Sequence, residues 1–228
     1  MTFGKPLVSV VTVIHNYGRF IDEALASAFA QPYRPIEVIV VDDGSTDDSA
    51  DRAAAHPGVI LIRQHHQGVS AARNAALRRG AGEFVTFLDA DDVMGATWLT
   101  EAVPHMIRCP GIAVAFPQQT IRLEPGIPKP GWISPDSVHG DLDGLPLAAG
   151  LYRRSVFDEL GWFTDNIRTG EFFNLLSRLP DQNTRTSFLK VLGVERRIHG
   201  SNLTYEIDAL SENMLRSLRH RIEQRRRS

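Results

Sequence analysis

Residues 38–53, VIVVDDGSTDDSADRA, run an apolar, β-branched segment straight into a cluster of aspartates. Residues 84–95, FVTFLDADDVMG, repeat the pattern. A short apolar run bounded by turn residues reads as a strand buried on both faces. Carboxylates placed at its end are costly unless water, a cation or a hydrogen-bond donor meets them. Both segments therefore pose one question: what do the acids meet?

Outward from these two stretches the chain alternates. LVSVVTVI (7–14) is a buried strand, and residues 19–31 set Phe20, Ile21, Ala24, Leu25, Ala28 and Phe29 at helical spacing. Pro32 and Pro35 end that helix, and 36–42 is a second strand. Residues 47–56 form a helix by propensity, with Asp47 as its cap. A strand follows at 59–63, then a helix at 69–80 closed by Gly80, a strand at 83–89 and a helix near 96–108. Strand and helix in strict alternation with short links imply an α/β fold, a mainly parallel sheet with helices on both faces. Ligands of such sheets bind beyond the carboxyl ends of the strands. HNYG (15–18) and the two acidic clusters all fall there.

Beyond residue 109 the pattern weakens. Residues 110–146 hold seven of the 13 prolines and read as loop, with a short strand near 112–116. A strand and a short helix are expected within 147–163, a helix over 170–179 and a strand over 188–199. The tail, 206–227, aligns Ile207, Leu210, Met214, Leu218 and Ile222 on one helical face and crowds six arginines toward its end. Such a helix can dock on its own domain, pair with a second copy, or lie on an anionic membrane surface.

Composition excludes several classes. The 228 residues carry a net charge of −2, so no overall field favours nucleic acid. One cysteine, Cys109, cannot form an intrachain disulfide. MTFGKPLVSVV lacks a signal peptide's apolar stretch, and no run approaches a membrane span, so the expected location is cytoplasmic.

In an extended segment residues i and i+2 point the same way, so Asp89 and Asp91 of DADD can share one target. Two such carboxylates suit Mg²⁺ or Mn²⁺; the same residues also suit a turn and helix cap. Asp42 and Asp43 carry the same pair of readings, cap and turn or hydrogen bond to a nucleotide. No Gly-x-Gly-x-x-Gly follows the first strand, where HNYGRF stands, and no phosphate-binding Gly-x-x-x-x-Gly-Lys occurs. Phosphates would then need another counter-charge, which a cation on DADD would supply.

The ordered blocks VSVVTVIHNYG, IEVIVVDDGSTDDS, HHQGVSAARNAAL and GEFVTFLDADD resemble the family 2 glycosyltransferases of the GT-A fold over residues 7–108. A weaker resemblance continues in RRSVFDELGWF, TGEFFNLLSRL and RRIHGSN. It implies a single GT-A domain over 1–228, with a Rossmann-like nucleotide-sugar-binding half at 1–108, a smaller acceptor half at 109–205 and the basic helix at 206–228. It implies an enzyme moving a sugar, with inversion, from a nucleotide-diphosphate-sugar to a glycan, lipid or peptide acceptor. His15, Asn16, Asp43, Gly68, Arg73, Asp89 and Ala90 would bind donor, His15 and Asp43 at the base. Asp89, Asp91 and His199 would hold Mn²⁺ or Mg²⁺. Many relatives place Glu-Asp near the start of the 170–179 helix; here the pair is Glu171-Phe172, and Asn174 stands where some relatives carry Asp. Glu171 is the acid left to act as base. A catalytically degenerate nucleotide-sugar-binding protein is the alternative, and a nucleotidyltransferase on a similar sheet is a further one.

Overall fold

The structure is a computed structural model that describes residues 4–130, 146–165, 167, 170–178 and 185–202. The first half follows the expected alternation: β1 (Val8–Ile14), α1 (Gly18–Phe29), β2 (Ile36–Asp43), α2 (Ser49–Ala55), β3 (Val59–Gln64), α3 (Val69–Arg79), β4 (Phe84–Phe87). Then come β5 (Val93–Met94), α4 (Trp98–Arg108), β6 (Ile112–Leu123), β7 (Leu151–Arg153), α5 (Arg154–Leu160), α6 (Glu171–Ser177) and β8 (Arg185–Ile198). The expected helix over 206–227 lies outside the described residues. No described helix is long and apolar enough to cross a membrane.

One sheet runs β3-β2-β1-β4-β7-β6-β8-β5. β1 pairs in parallel with β2 and β4, and β2 with β3. Because side chains alternate across a strand, each of these strands feeds two cores. Val8, Val10, Val38, Val40 and Phe84 join residues of α1 and α4 on one face. Val11, Ile39, Val41, Val85 and Phe87 join residues of α3, α5 and α6 on the other. Each fully buried aliphatic or phenyl group contributes about 1.5–3 kcal/mol. That two-faced burial explains why these segments read as continuous apolar runs.

Two expectations need correction. The strand placed near 112–116 continues to Leu123, through Pro117, as the 12-residue β6. Pro117 survives in it because the pairing with β8 shifts register between Phe116 and Gln118, where no donor is required. A Cβ on Gly193 would stand 2.2 Å from Cβ of Pro117, so only glycine lets β8 pass the ring. Helix 47–56 begins later than expected, at Ser49 with Asp48 as its N-cap. Asp47 still serves the first turn, since its Oδ1 accepts from Ser49 N at 3.0 Å.

β5 follows DADD directly and pairs antiparallel with β8 through Val93↔Glu195 and Met94↔Val194. The carboxyl end of β8 is thereby carried to the second acidic cluster.

Candidate active site at the strand ends

The two acidic clusters meet different fates. The first is absorbed by the fold. Asp42 Oδ1 accepts from Ser45 N at 3.0 Å and closes the turn after β2. Asp43 is 2% exposed. Its Oδ1 accepts from Gln64 Nε2 at 2.7 Å and Gln67 N at 2.9 Å, and its Oδ2 from Gly68 N at 2.8 Å. Nδ1 of His66 lies 2.9 Å from Oδ2. The Asp43 carboxylate, expected to meet a nucleobase, ties down residues 64–68. Gly68, expected along the donor, gives its amide to Asp43 and, at φ 92°, takes a backbone conformation that favours glycine as it caps α3.

The same loop region is knitted to HNYG. Asn16 Oδ1 accepts from Thr46 N at 2.8 Å, and Tyr17 N donates to Ser49 Oγ at 2.8 Å. Asn16 itself stands at positive φ, 63°, which asparagine tolerates better than most residues. His15 reaches the carbonyl oxygen of Asp43 through Nδ1 at 2.9 Å. Its ring stacks on that of His66, centroids 4.3 Å apart. His66 was not among the expected site residues, although its adjacency to the Gln-Gly of HHQG marked the segment. The two imidazoles form an aromatic platform at the ends of β1 and β3.

The second cluster is left unbalanced. Asp91 and Asp92 are each buried, and Asp89 is half-exposed. Burial, then the charge of Asp89, raises the Asp91 carboxyl above the usual carboxylate range, with His199 opposing. Burial, then Asp91 and Asp89, pushes Asp92 well above it. The neighbouring Tyr17 hydroxyl is held protonated by its own burial and by these three acids. The end of β8 answers part of this charge. Arg197 N donates to Asp92 Oδ1 at 2.9 Å, and Asn202 Nδ2 to Asp91 Oδ2 at 2.8 Å. His199 Nε2 lies 3.0 Å from the same Asp91 oxygen, with its ring 4.4 Å from that of Phe20. Ala90, expected against the donor, is buried in the core; residues 89–92 form a turn closed by Asp92 N donating to the Asp89 carbonyl oxygen at 3.0 Å, and not the extended segment expected for DADD.

Asp89 is turned aside. Its Oδ1 accepts from Arg73 NH2 at 3.2 Å, while NH1 of the same guanidinium donates to Glu171 Oε1. Glu171 opens α6 and is tied through Arg73 to the DADD edge. Arg73, expected along the donor, is buried. Asp89, Asp91 and His199, expected to hold a cation together, are not gathered on one point; among the described residues no three acidic, histidine or cysteine side chains form such a group. Asp89 is paired with Arg73. The chemistry still fits a hard divalent ion: carboxylate oxygens, an imidazole, and mutual repulsion that a cation would relieve.

Residues 9–161 match the model of glycosyl transferase family 2, and the chain belongs to that family. It is 31% identical over 191 residues to the putative teichuronic acid biosynthesis glycosyltransferase TuaG of Bacillus subtilis, covering 81% of this chain and 70% of TuaG. Its sheet and flanking helices form the GT-A fold, superposing on S. aureus TarS in complex with UDP-GlcNAc with a TM-score of 0.69 at 20% identity, over 89% of this chain and 61% of that one. The mannosyltransferase PcManGT of Pyrobaculum calidifontis, in complex with GDP-Man and Mn²⁺, matches with a TM-score of 0.65 at 20% identity, over 88% of this chain and 59% of that one. Several relatives are longer: the chain spans 28% of an uncharacterized glycosyltransferase of Nostoc sp., to which it is 42% identical over 91 residues, 38% of its own length.

Proposed function

We propose that this chain transfers a sugar from a nucleoside-diphosphate-sugar to a hydroxyl of a saccharide acceptor, by single displacement with inversion. The observation that carries the reading is the unbalanced Asp89-Asp91-Asp92 cluster at the end of β4, in a family 2 domain, with Glu171 tethered beside it. A site that concentrates negative charge against its own stability is built to meet positive charge brought by a ligand.

The residues divide the work by position. The His15–His66 platform offers π faces to a base, and its Nε2 atoms are the ring nitrogens not used on Asp43. Asp89, half-exposed, can turn to a ribose hydroxyl or a cation. Asp91 and Asp89, with His199 beside Asp91, would hold Mn²⁺ or Mg²⁺, which when bound supplies charge to stabilise the departing diphosphate. Glu171 takes the acceptor hydroxyl's proton. Arg73 holds its Oε1, so the proton falls to Oε2. The donor half is residues 1–108 and the acceptor half 109–205. TuaG's name motivates the acceptor class, and the UDP-GlcNAc and GDP-Man complexes motivate the donor class.

A second reading has its own observation. The acid on α6 is already paired with Arg73, and Asn174, one turn on, is an amide whose Oδ1 accepts from Thr164 Oγ1 at 2.9 Å. A donor-binding protein without turnover would look the same. The deciding experiment incubates the chain with Mn²⁺ and a panel of UDP- and GDP-sugars, and follows release of the nucleoside diphosphate with and without oligosaccharide acceptors. Acceptor-dependent release supports the transferase. Saturable binding without release, with activity appearing in Asn174→Asp, supports the binding protein.

A further inference from the structure

Arg73 has an arrangement that a donor ligand would not need. It sits in mid-α3, its side chain 6% exposed. The guanidinium carbon lies 4.4 Å from the ring centroid of Phe172, 5.7 Å from that of Phe87 and 5.8 Å from that of Phe163. One terminal nitrogen bonds Glu171 at the start of α6, and the other bonds Asp89 just past β4. A single cation is therefore shared by two carboxylates that belong to separate elements, and it is clamped among three phenyl rings.

We propose that Arg73 is a positioning residue that transmits the occupancy of Asp89 to Glu171, an inference that rests on the donor reading above. The two ends of the bridge differ in access: the Asp89 side chain is 49% exposed, the Glu171 side chain 11%. A ligand arriving at the strand ends meets Asp89 first. Arg73 cannot follow Asp89 outward without giving up its ring contacts and entering water again. Once Asp89 turns to a ligand, the full charge of Arg73 is left to Glu171, and in a buried setting that pairing tightens. The pairing reaches the first turn of α6, which opens at Glu171 after the N-cap Gly170. Occupied Asp89 thus fixes Glu171, and a fixed base is what proton transfer requires. Lysine, a single point charge on a flexible stem, cannot serve two carboxylates and three rings in this way.

The test is hydrogen exchange of the peptide spanning 171–177 in the full chain, with and without Mn²⁺ plus UDP or GDP, alongside calorimetric affinities for the same probes. In the wild type, saturating nucleoside diphosphate should slow exchange there by about twofold or more. Arg73→Lys should bind the same probe within about threefold and show no slowing. Glu171→Gln removes the charge from the other end of the bridge, should likewise lose the slowing, and decides the matter if Arg73→Lys does not fold. Slowing that persists in these variants overturns the proposal, as does binding to the wild type without slowing. A loss of affinity beyond about tenfold in Arg73→Lys would show that Arg73 touches the ligand, and also overturns it. Absence of any nucleoside-diphosphate binding to the wild type would remove the donor reading and this coupling together, an outcome distinct from binding without transmission.

Discussion

The imidazole Nε2 of His199 stands 3.0 Å from Oδ2 of Asp91, across 108 residues of sequence. The contact brings the end of β8 to the mutually repelling carboxylates of Asp89, Asp91 and Asp92. Asp91→Asn removes one of three mutually repelling carboxylates while leaving an oxygen for Asn202 to donate to. The variant should melt no lower than the wild type. Its Mn²⁺-dependent affinity for UDP or GDP should nevertheless fall at least about tenfold, or about 1.4 kcal/mol. Titration calorimetry with and without Mn²⁺ checks this, and equal affinities would remove the cation reading of DADD.

Asp43 makes the opposite case. Its carboxylate is spent on Gln64, Gln67, Gly68 and His66. Asp43→Ala leaves two backbone amides without their acceptor and should cost about 1–3 kcal/mol of stability. Urea unfolding should show a lower midpoint with an unchanged slope. Nucleoside affinity should fall as well, because the ring of His66 is anchored through the same group. A variant as stable as the wild type that still loses nucleoside binding would return Asp43 to direct contact with the ligand.

Which parts of this were legible in the sequence follows from the range of the interactions. β1 through β4 and their helices announce themselves because local periodicity and burial coincide, as in Val38–Val41 feeding two cores. The extension of β6 past Pro117 was hidden, because its support is a register shift against β8 and a glycine at 193. β5, two residues long, carries no periodic signal of its own. In the site, the acids at strand ends were visible as residue types in place. Their partners were not. The bond from Arg73 to Glu171 spans 98 residues, and no local pattern links an arginine in one helix with a glutamate in another. Asp43 and Asp91 look alike in sequence; Asp43 is met by the backbone amides of Gln67 and Gly68, whereas Asp91 is met by side chains from the end of β8 and lies beside two further acids.

Glu23 on α1 offers a test by pH. Arg122 of β6 donates to Glu23 Oε1 at 3.0 Å from both terminal nitrogens, and Arg197 of β8 donates to Oε2. The hydrogen bonds from Arg122, then from Arg197, lower the Glu23 carboxyl from its ordinary 4.5 to about 2. A depressed carboxylate contributes stability above its unfolded value and loses it as pH falls toward its folded one. Glu23→Gln should therefore be less stable than the wild type near neutrality, and the gap should close between about pH 4.5 and 2. The Glu23 side chain is 47% exposed, so solvent screening should keep the gap under about 1 kcal/mol. Thermal melts of both proteins across this range check it; a gap that does not change with pH would show that packing, and not charge, sets it.

The catalytic assignment turns on Glu171. A proton acceptor must come within hydrogen-bond reach of the acceptor hydroxyl, roughly 2.6–3.2 Å or through one water. Glu171 meets the topological half of that demand: it opens α6, and Arg73 ties it to the edge where Asp89 stands. Phe172 cannot take a proton, and the Asn174 amide cannot act as a base. If Glu171 is the base, Glu171→Gln should lose on the order of 10²–10⁴ in turnover, with nucleoside-diphosphate affinity close to that of the wild type. The change also strips Arg73 of a charged partner in a buried setting, so some stability is lost on either reading. Stability therefore cannot discriminate, and the ratio of turnover to affinity must. Single-turnover rates at saturating donor, measured at a temperature where both proteins are fully folded, isolate that ratio. Turnover within about threefold of the wild type would assign Glu171 to the fold alone, and the proton would then have to leave by a group outside α6.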